Sequence, residues 1–164
     1  MIYVTVGKGI DPFDRLVKAA DIFAGQSGDE VFIQSGCSEY KPRNASYRDF
    51  LTFPEAEEFL KSASVIVSHA GIGTIIGALT AGVPIAVVPR YKKYKEHFND
   101  HQLEIAEVVK GRPGVEVVYE GGDLAAAVGR LKGLKGTLEP QKAGGGLIDA
   151  VAVFIEHAEK GKPE

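Results

Sequence analysis

Sulfur and indole chemistry are nearly missing from this chain. Cys37 and Met1 are its single cysteine and methionine, and there is no tryptophan. One cysteine excludes an internal disulfide and fits a reducing cytosol. A basic surplus is missing too. The formal net charge is -3, which argues against a general nucleic-acid binder, a class that is usually clearly basic. No apolar run is long enough to span a bilayer. Met1 leads directly into an apolar strand with no basic segment before it, so no secretory signal is expected. Membrane association is therefore expected to be peripheral or through a partner. There is no internal repeat, no sign of a second domain, and no Asp-x-Asp pair to hold a metal against a diphosphate. What remains is 164 residues, 45% hydrophobic and 25% charged, the profile of one globular domain over residues 1–164.

The chain is organised around residues 64–79. Val65, Ile66 and Val67 are consecutive β-branched residues suited to a strand covered on both faces. Ser68, His69, Ala70, Gly71, Ile72, Gly73 and Thr74 follow, and a helix is expected to open at about Ile72 to Thr74. Glycines allow a sharp turn and close approach of a ligand to the backbone. The helix start leaves unpaired N–H groups and a positive dipole end facing the turn, which is a ready phosphate site. A tight strand–helix connection is the plainer explanation of the glycines, and the added Ser68, His69 and Thr74 favour the anion site.

The remaining pattern alternates strand and helix. Ile2–Val6 reads as a strand, broken by Gly7-Lys8-Gly9. Asp11-Pro12 reads as an N-cap and first turn, with Phe13, Leu16, Val17, Ala20 and Phe23 at helical spacing, ended by Gly25 and Gly28. Glu30–Gln34 reads as a strand closed by Ser35-Gly36, residues 37–48 as a loop, Phe50–Phe53 as a strand, and Pro54 as the start of a short helix. After Pro84, Ile85–Val88 is a further buried strand. Asn99 is expected to cap the next helix, with Gln102 completing a capping box. Val115–Val118 is a strand, Asp123–Leu131 a helix, and Leu147–Ala158 a terminal helix. The pattern predicts an α/β fold, a Rossmann-like, mainly parallel sheet with helices on both faces. Ligands of such sheets sit outside the carboxyl ends of the strands. The Gly7–Gly9 loop, Ser35-Gly36, Phe53, the Ser68–Thr74 turn and residues 89–101 are expected to gather on that rim.

Individual residues leave alternatives open. Gly71-x-Gly73-x-x-x-Gly77 superficially matches a dinucleotide fingerprint, but it lies mid-chain and Arg90 follows the next strand instead of an acidic ribose ligand. His69 reads as a phosphate or sugar ligand, or as a rim histidine that fixes the turn. It has no partner at metal-ligand spacing. Arg90, Lys92, Lys93 and Lys95, interleaved with Tyr91 and Tyr94, form the one marked basic cluster. It fits a solvated loop, a diphosphate clamp, an anionic membrane surface or a partner interface. Lys8 is placed to reach a phosphate, although Gly7-Lys8-Gly9-Ile10 is not a P-loop. No nucleophile–base set can be assembled, so no catalytic residue is assigned.

Residues 68–74, Gly82-Val83-Pro84, Val87-Val88-Pro89 and Asn99-Asp100-His101-Gln102-Leu103-Glu104 together resemble the donor-binding half of glycosyltransferase family 28, one half of a GT-B enzyme. Val4-Thr5-Val6-Gly7 and Phe13-Asp14 are similar to its start, and the resemblance runs to about Val118. Among its members the chain resembles the catalytic subunits of split UDP-GlcNAc transferases. Through residues 89–97 it also resembles the small subunits of bacterial two-part exopolysaccharide glycosyltransferases. The resemblance implies a UDP-sugar as donor substrate, no cofactor and no metal. It also implies a membrane-anchored partner holding a lipid-linked acceptor, no nucleic acid, and a cytoplasmic location at the inner face of the membrane. It implies that Ala70–Thr74 take the diphosphate, that Gly7–Gly9 face the phosphates, and that Phe53 lies near the uracil. Asp100, His101 and Gln102 would face the sugar hydroxyls. Many relatives carry a ribose-binding glutamate where this helix has Gly77. Without catalysis, the same features describe a nucleotide-sugar-binding or regulatory module.

Overall fold

A computed structural model describes residues 1–120 and 122–140, so the expected terminal helix at 147–158 lies outside the described residues. Six strands form one sheet: β1 (Ile2–Thr5), β2 (Val31–Gln34), β3 (Ser46–Arg48), β4 (Val65–His69), β5 (Ile85–Val88) and β6 (Val115–Val117). Their order is β3-β2-β1-β4-β5-β6, and every neighbouring pair is parallel. Five α-helices alternate with them: α1 (Asp14–Ser27), α2 (Phe53–Ser62), α3 (Ile72–Thr80), α4 (His101–Val109) and α5 (Leu124–Leu131). Side chains alternate across the sheet and build two cores. Val4, Ile33 and Val67 pack with α1 and α5 on one face, and Tyr3, Ile66 and Val87 with α3 and α4 on the other. The fold is therefore the expected α/β doubly wound sheet, fully parallel among the described strands.

Several local expectations are corrected. The third strand is Ser46–Arg48, inside the stretch read as a loop, and Phe50–Phe53 is not a strand. Residues 46–48 are all exposed at the sheet edge, so no apolar alternation marked them. Thr52 instead caps α2. Its hydroxyl accepts from the Glu55 N–H, and the Glu55 carboxylate accepts from the Thr52 N–H at 2.8 Å. Helix α1 starts at Asp14, not at Asp11-Pro12. Phe13 is fully buried, and its N–H donates to Ser38 Oγ at 3.0 Å. Gly25 lies within α1, and only Gly28, with φ 69°, ends it. The Asn99–Gln102 capping box is absent. Asp100 occupies the N-cap of α4, and the Gln102 side chain serves another segment.

The capping box makes α2 testable. Thr52→Ala removes the side-chain acceptor for the Glu55 N–H and is expected to cost about 1 kcal/mol in urea unfolding. A change within a few tenths would show that α2 does not depend on its cap.

Candidate functional site

Successive strands from β1 travel one way across the sheet to β3, and the chain then returns to place β4 on the other side of β1. The connections after β1 and β4 therefore diverge, and a crevice opens between them at the strands' carboxyl ends. A cavity of about 630 Å³ occupies this position and runs down between α2 and α3. Of the residues expected at the site, Gly7, Lys8, Phe53, His69, Gly71, Gly73 and Thr74 line it.

Helix α3 presents its start to this cavity. Gly71 is the N-cap, and no side chain caps the helix. The Gly71 N–H is used by His69 O at 2.7 Å, while the first intrahelical bond runs from Ile75 N–H to Gly71 O at 3.1 Å. The N–H groups of Ile72, Gly73 and Thr74 thus have no acceptor within the helix and carry its positive end. Ala70 is buried in the core beneath them, and Ile72 packs its side chain against that core. Both contribute backbone more than side chain.

The three motif glycines differ in what surrounds them. A Cβ on Gly7 would lie 2.5 Å from His69 Cε1, and one on Gly71 would lie 2.3 Å from His69 Nε2. The imidazole is wedged between these two residues and excludes any side chain there. A Cβ on Gly73 would meet nothing within 4 Å. Gly73 is therefore the glycine whose missing side chain leaves room for a ligand. Gly77 also lines the cavity, facing Leu60 of α2.

His69 is neutral at physiological pH. Burial, and then the nearby Arg90 cation, push its pKa down from 6.5 to about 4. Its Nδ1 lies 3.3 Å from Ser68 Oγ, and Ser68 itself is fully buried. His69 packs its ring against Gly7 and Gly71 and lines the cavity. Lys8 and Lys61 bring cations to the wall, and Lys61 is paired at 2.6 Å with Glu57 one turn away.

Other expected residues fall outside the cavity. Arg90 is corrected from a phosphate contact to a structural staple. Its guanidinium donates to the carbonyls of Val6, Asp11, Pro12 and Glu96 and lies 4.6 Å from the Phe13 ring centroid. It is 2% exposed and holds the segments after β1 and β5 together. Gln102 is likewise buried, and its carbonyl oxygen accepts the Arg90 N–H at 3.1 Å instead of facing a sugar. Asp100 Oδ1 accepts the Lys92 N–H, and His101 begins α4, its N–H 3.3 Å from Asn99 Oδ1. Ser35 donates to Asp49 at 2.8 Å, Gly36 makes a turn over Val6, and Gly9 is exposed. Lys92, Lys93 and Lys95 stand in solvent, with Lys93 on Glu120. Among the described residues, no three His, Cys, Asp or Glu side chains converge.

Tyr3, Thr5, Gln34, Glu57, Leu60, Lys61 and Thr80 also line the cavity, and the sequence pattern marks them only as parts of strands or helices. Thr5 and Gln34 were legible in principle, as polar residues ending apolar strands.

A family model described as the glycosyltransferase family 28 C-terminal domain matches residues 1–143. Solved structures share the fold at low identity. The glycotransferase of kitacinnamycin is 19% identical with a TM-score of 0.65, covering 99% of this chain and 43% of that one. CalG4, the calicheamicin glycosyltransferase, is 15% identical with a TM-score of 0.59, covering 96% and 43%. Os79 from O. sativa, solved in complex with UDP, is 15% identical with a TM-score of 0.60, covering 97% and 40%. The fold is thus that of one half of a GT-B glycosyltransferase, and this chain spans less than half the length of these proteins. A search of curated proteins finds no match.

The neutral imidazole has a consequence for acid stability. The unfolded chain takes up a proton on His69 near pH 6.5, whereas the folded chain resists until about pH 4. The unfolded state binds more protons in that window, so this contribution is complete above about 6.5 and is lost as pH falls towards 4. The loss amounts to at most about 3 kcal/mol. Thermal unfolding midpoints should fall over this range, with a shallower fall in His69→Gln. Equal slopes in the two proteins would remove His69 as the cause.

Proposed function

The chain belongs to the glycosyltransferase family 28 C-terminal domain family, and from that premise we propose that it is the donor-binding catalytic part of a two-part, inverting glycosyltransferase. It binds a UDP-sugar as donor substrate. The acceptor is lipid-linked and is held by a membrane-anchored partner, which places this chain at the cytoplasmic face of the membrane. The observation that carries the reading is the uncapped start of α3, with open space at Gly73, facing a cavity of about 630 Å³.

In this reaction the acceptor hydroxyl oxygen forms a bond to the anomeric carbon from the side opposite the leaving group. The bond from that carbon to the β-phosphate oxygen breaks, and its electron pair departs with UDP. The hydroxyl proton passes to a general base supplied by the partner. This chain's contribution is to hold the diphosphate and meet the charge that develops on it. The N–H groups of Ile72, Gly73 and Thr74 are preorganised donors for that charge, and Lys8 adds a cation. Phe53 is exposed at the start of α2 and offers a ring face to the base. No described helix is long and apolar enough to cross a membrane, which is consistent with attachment through a partner.

Calorimetry of the chain with UDP and UDP-sugars, alone and with the partner, tests the reading. Gly73→Leu places a side chain where the diphosphate would sit, in space that is otherwise open. It should weaken UDP binding by tenfold or more. Its thermal midpoint should stay level or rise, because leucine favours a helix over glycine by about 1 kcal/mol. No UDP binding by the wild type under either condition would sink the proposal. Wild-type affinity in Gly73→Leu would move the site elsewhere.

A further inference from the structure

The floor of the cavity contains a hydrogen-bond network whose direction is determined by its members. The Gly7 N–H donates to Thr5 Oγ1 at 3.1 Å. The Thr5 hydroxyl proton is then free to donate to Gln34 Oε1, which lies 3.1 Å away. Tyr3 donates its hydroxyl to the same oxygen at 3.0 Å. Gly7 O, 3.5 Å from the other end of the amide, can only accept, so that end is the NH2 group and the atom between the two hydroxyls is Oε1. That amide has two N–H donors. Gly7 O takes one, and the second has no acceptor among the described residues.

Gln34 is 2% exposed, and it lines the cavity together with Tyr3, Thr5, Gly7 and His69. Tyr3 and Thr5 hold its oxygen and so fix which way the amide faces. A buried donor without a partner is costly, and burial persists where something completes it. Gln34 and Thr5 are register partners at the carboxyl ends of β2 and β1, beside the switch point. The remaining donor therefore sits below the crevice that holds the start of α3.

We infer that Gln34 donates its remaining Nε2 hydrogen to an oxygen of the nucleoside diphosphate bound in this cavity. Gln34 is then a binding residue, and Tyr3 and Thr5 are positioning residues that orient its amide. The inference rests on the nucleotide-binding reading above and adds a contact from the sheet floor, opposite the contacts from α3. The acceptor oxygen belongs either to the nucleoside or to the diphosphate, and both offer the same chemistry to an amide.

The test uses the full chain labelled with ¹⁵N. The Gln34 side-chain amide resonances are assigned through the wild-type backbone and checked by their loss in Gln34→Glu. Saturating UDP should shift them. Uridine and inorganic pyrophosphate, added separately, identify which part of the nucleotide carries the oxygen. In Gln34→Glu at pH 8 the carboxylate still accepts from Tyr3 and Thr5. It offers no donor and adds a charge that repels a diphosphate, so the Kd for UDP should rise about tenfold or more. The wild-type resonance shift separates the lost donor from the repulsion. Resonances unmoved by bound UDP, or wild-type affinity in Gln34→Glu, would overturn this inference alone. Failure of the wild type to bind UDP would overturn it together with the proposed function. If the variant does not fold, the wild-type resonances decide.

Discussion

The return of the chain to β1 is the constraint from which the rest follows. Strands β2 and β3 lie on one side of β1, and β4, β5 and β6 lie on the other. Parallel strands require crossovers, and here the crossovers on the two sides of β1 diverge. The segments after β1 and β4 therefore border a gap that neither fills. His69 packs into it, and Gly7 and Gly71 are bare because the imidazole lies against both. Outside the gap, Arg90 ties the segment after β5 to the segment after β1 by donating to four carbonyls. A cavity remains because the packing stops at Gly73.

This arrangement separates charges that look alike in the sequence. Arg90 and Lys92 are two residues apart, yet one is buried among carbonyls and the other stands in solvent. A guanidinium with five donors can satisfy several carbonyls at once, which an ammonium on a flexible stem does less well. The buried Glu96 is similarly occupied, held by Arg15 at 2.9 Å and accepting the Tyr91 N–H at 3.0 Å. Arg90 and Glu96 thus anchor the 90–96 segment to α1 and to the segment after β1.

The sheet and its helices were legible because their signals are strong and local. Ile85–Val88 is a run of apolar residues between two prolines, and it is a strand with those bounds. The start of α3 was legible from its glycines and its place after a β-branched run. The edge strand Ser46–Arg48 was not, since exposed residues on an edge carry no alternation. The capping roles failed for a related reason. Asn99 and Gln102 have the right types at the right spacing, but Gln102 is drawn inward to serve the Arg90 N–H, a contact twelve residues distant. Spacing records local preference, and a long-range partner can override it. The cavity floor was invisible for the same reason: Tyr3, Thr5 and Gln34 meet only when β1 and β2 pair.

The glycines show how one motif can combine two physical demands. Gly7 and Gly71 answer to the protein's own side chain, and the φ of 78° at Gly7 adds a backbone demand to the steric one. Gly73 answers to neither, because it stands in open space at a helix start where any residue would fit the backbone. A glycine in a helix costs about 1 kcal/mol relative to alanine. No neighbour in the chain requires a bare backbone there, and the same holds for Gly129 within α5, so what sets Gly73 apart is its place on the cavity wall. The same reasoning separates Gly77, where an added Cβ would lie 3.1 Å from Leu60 Cδ1 across the groove. A larger residue there would push against α2, a helix with no fully buried side chain. The groove below Gly73 is therefore kept open by packing geometry, and its width is set by how α2 sits against α3.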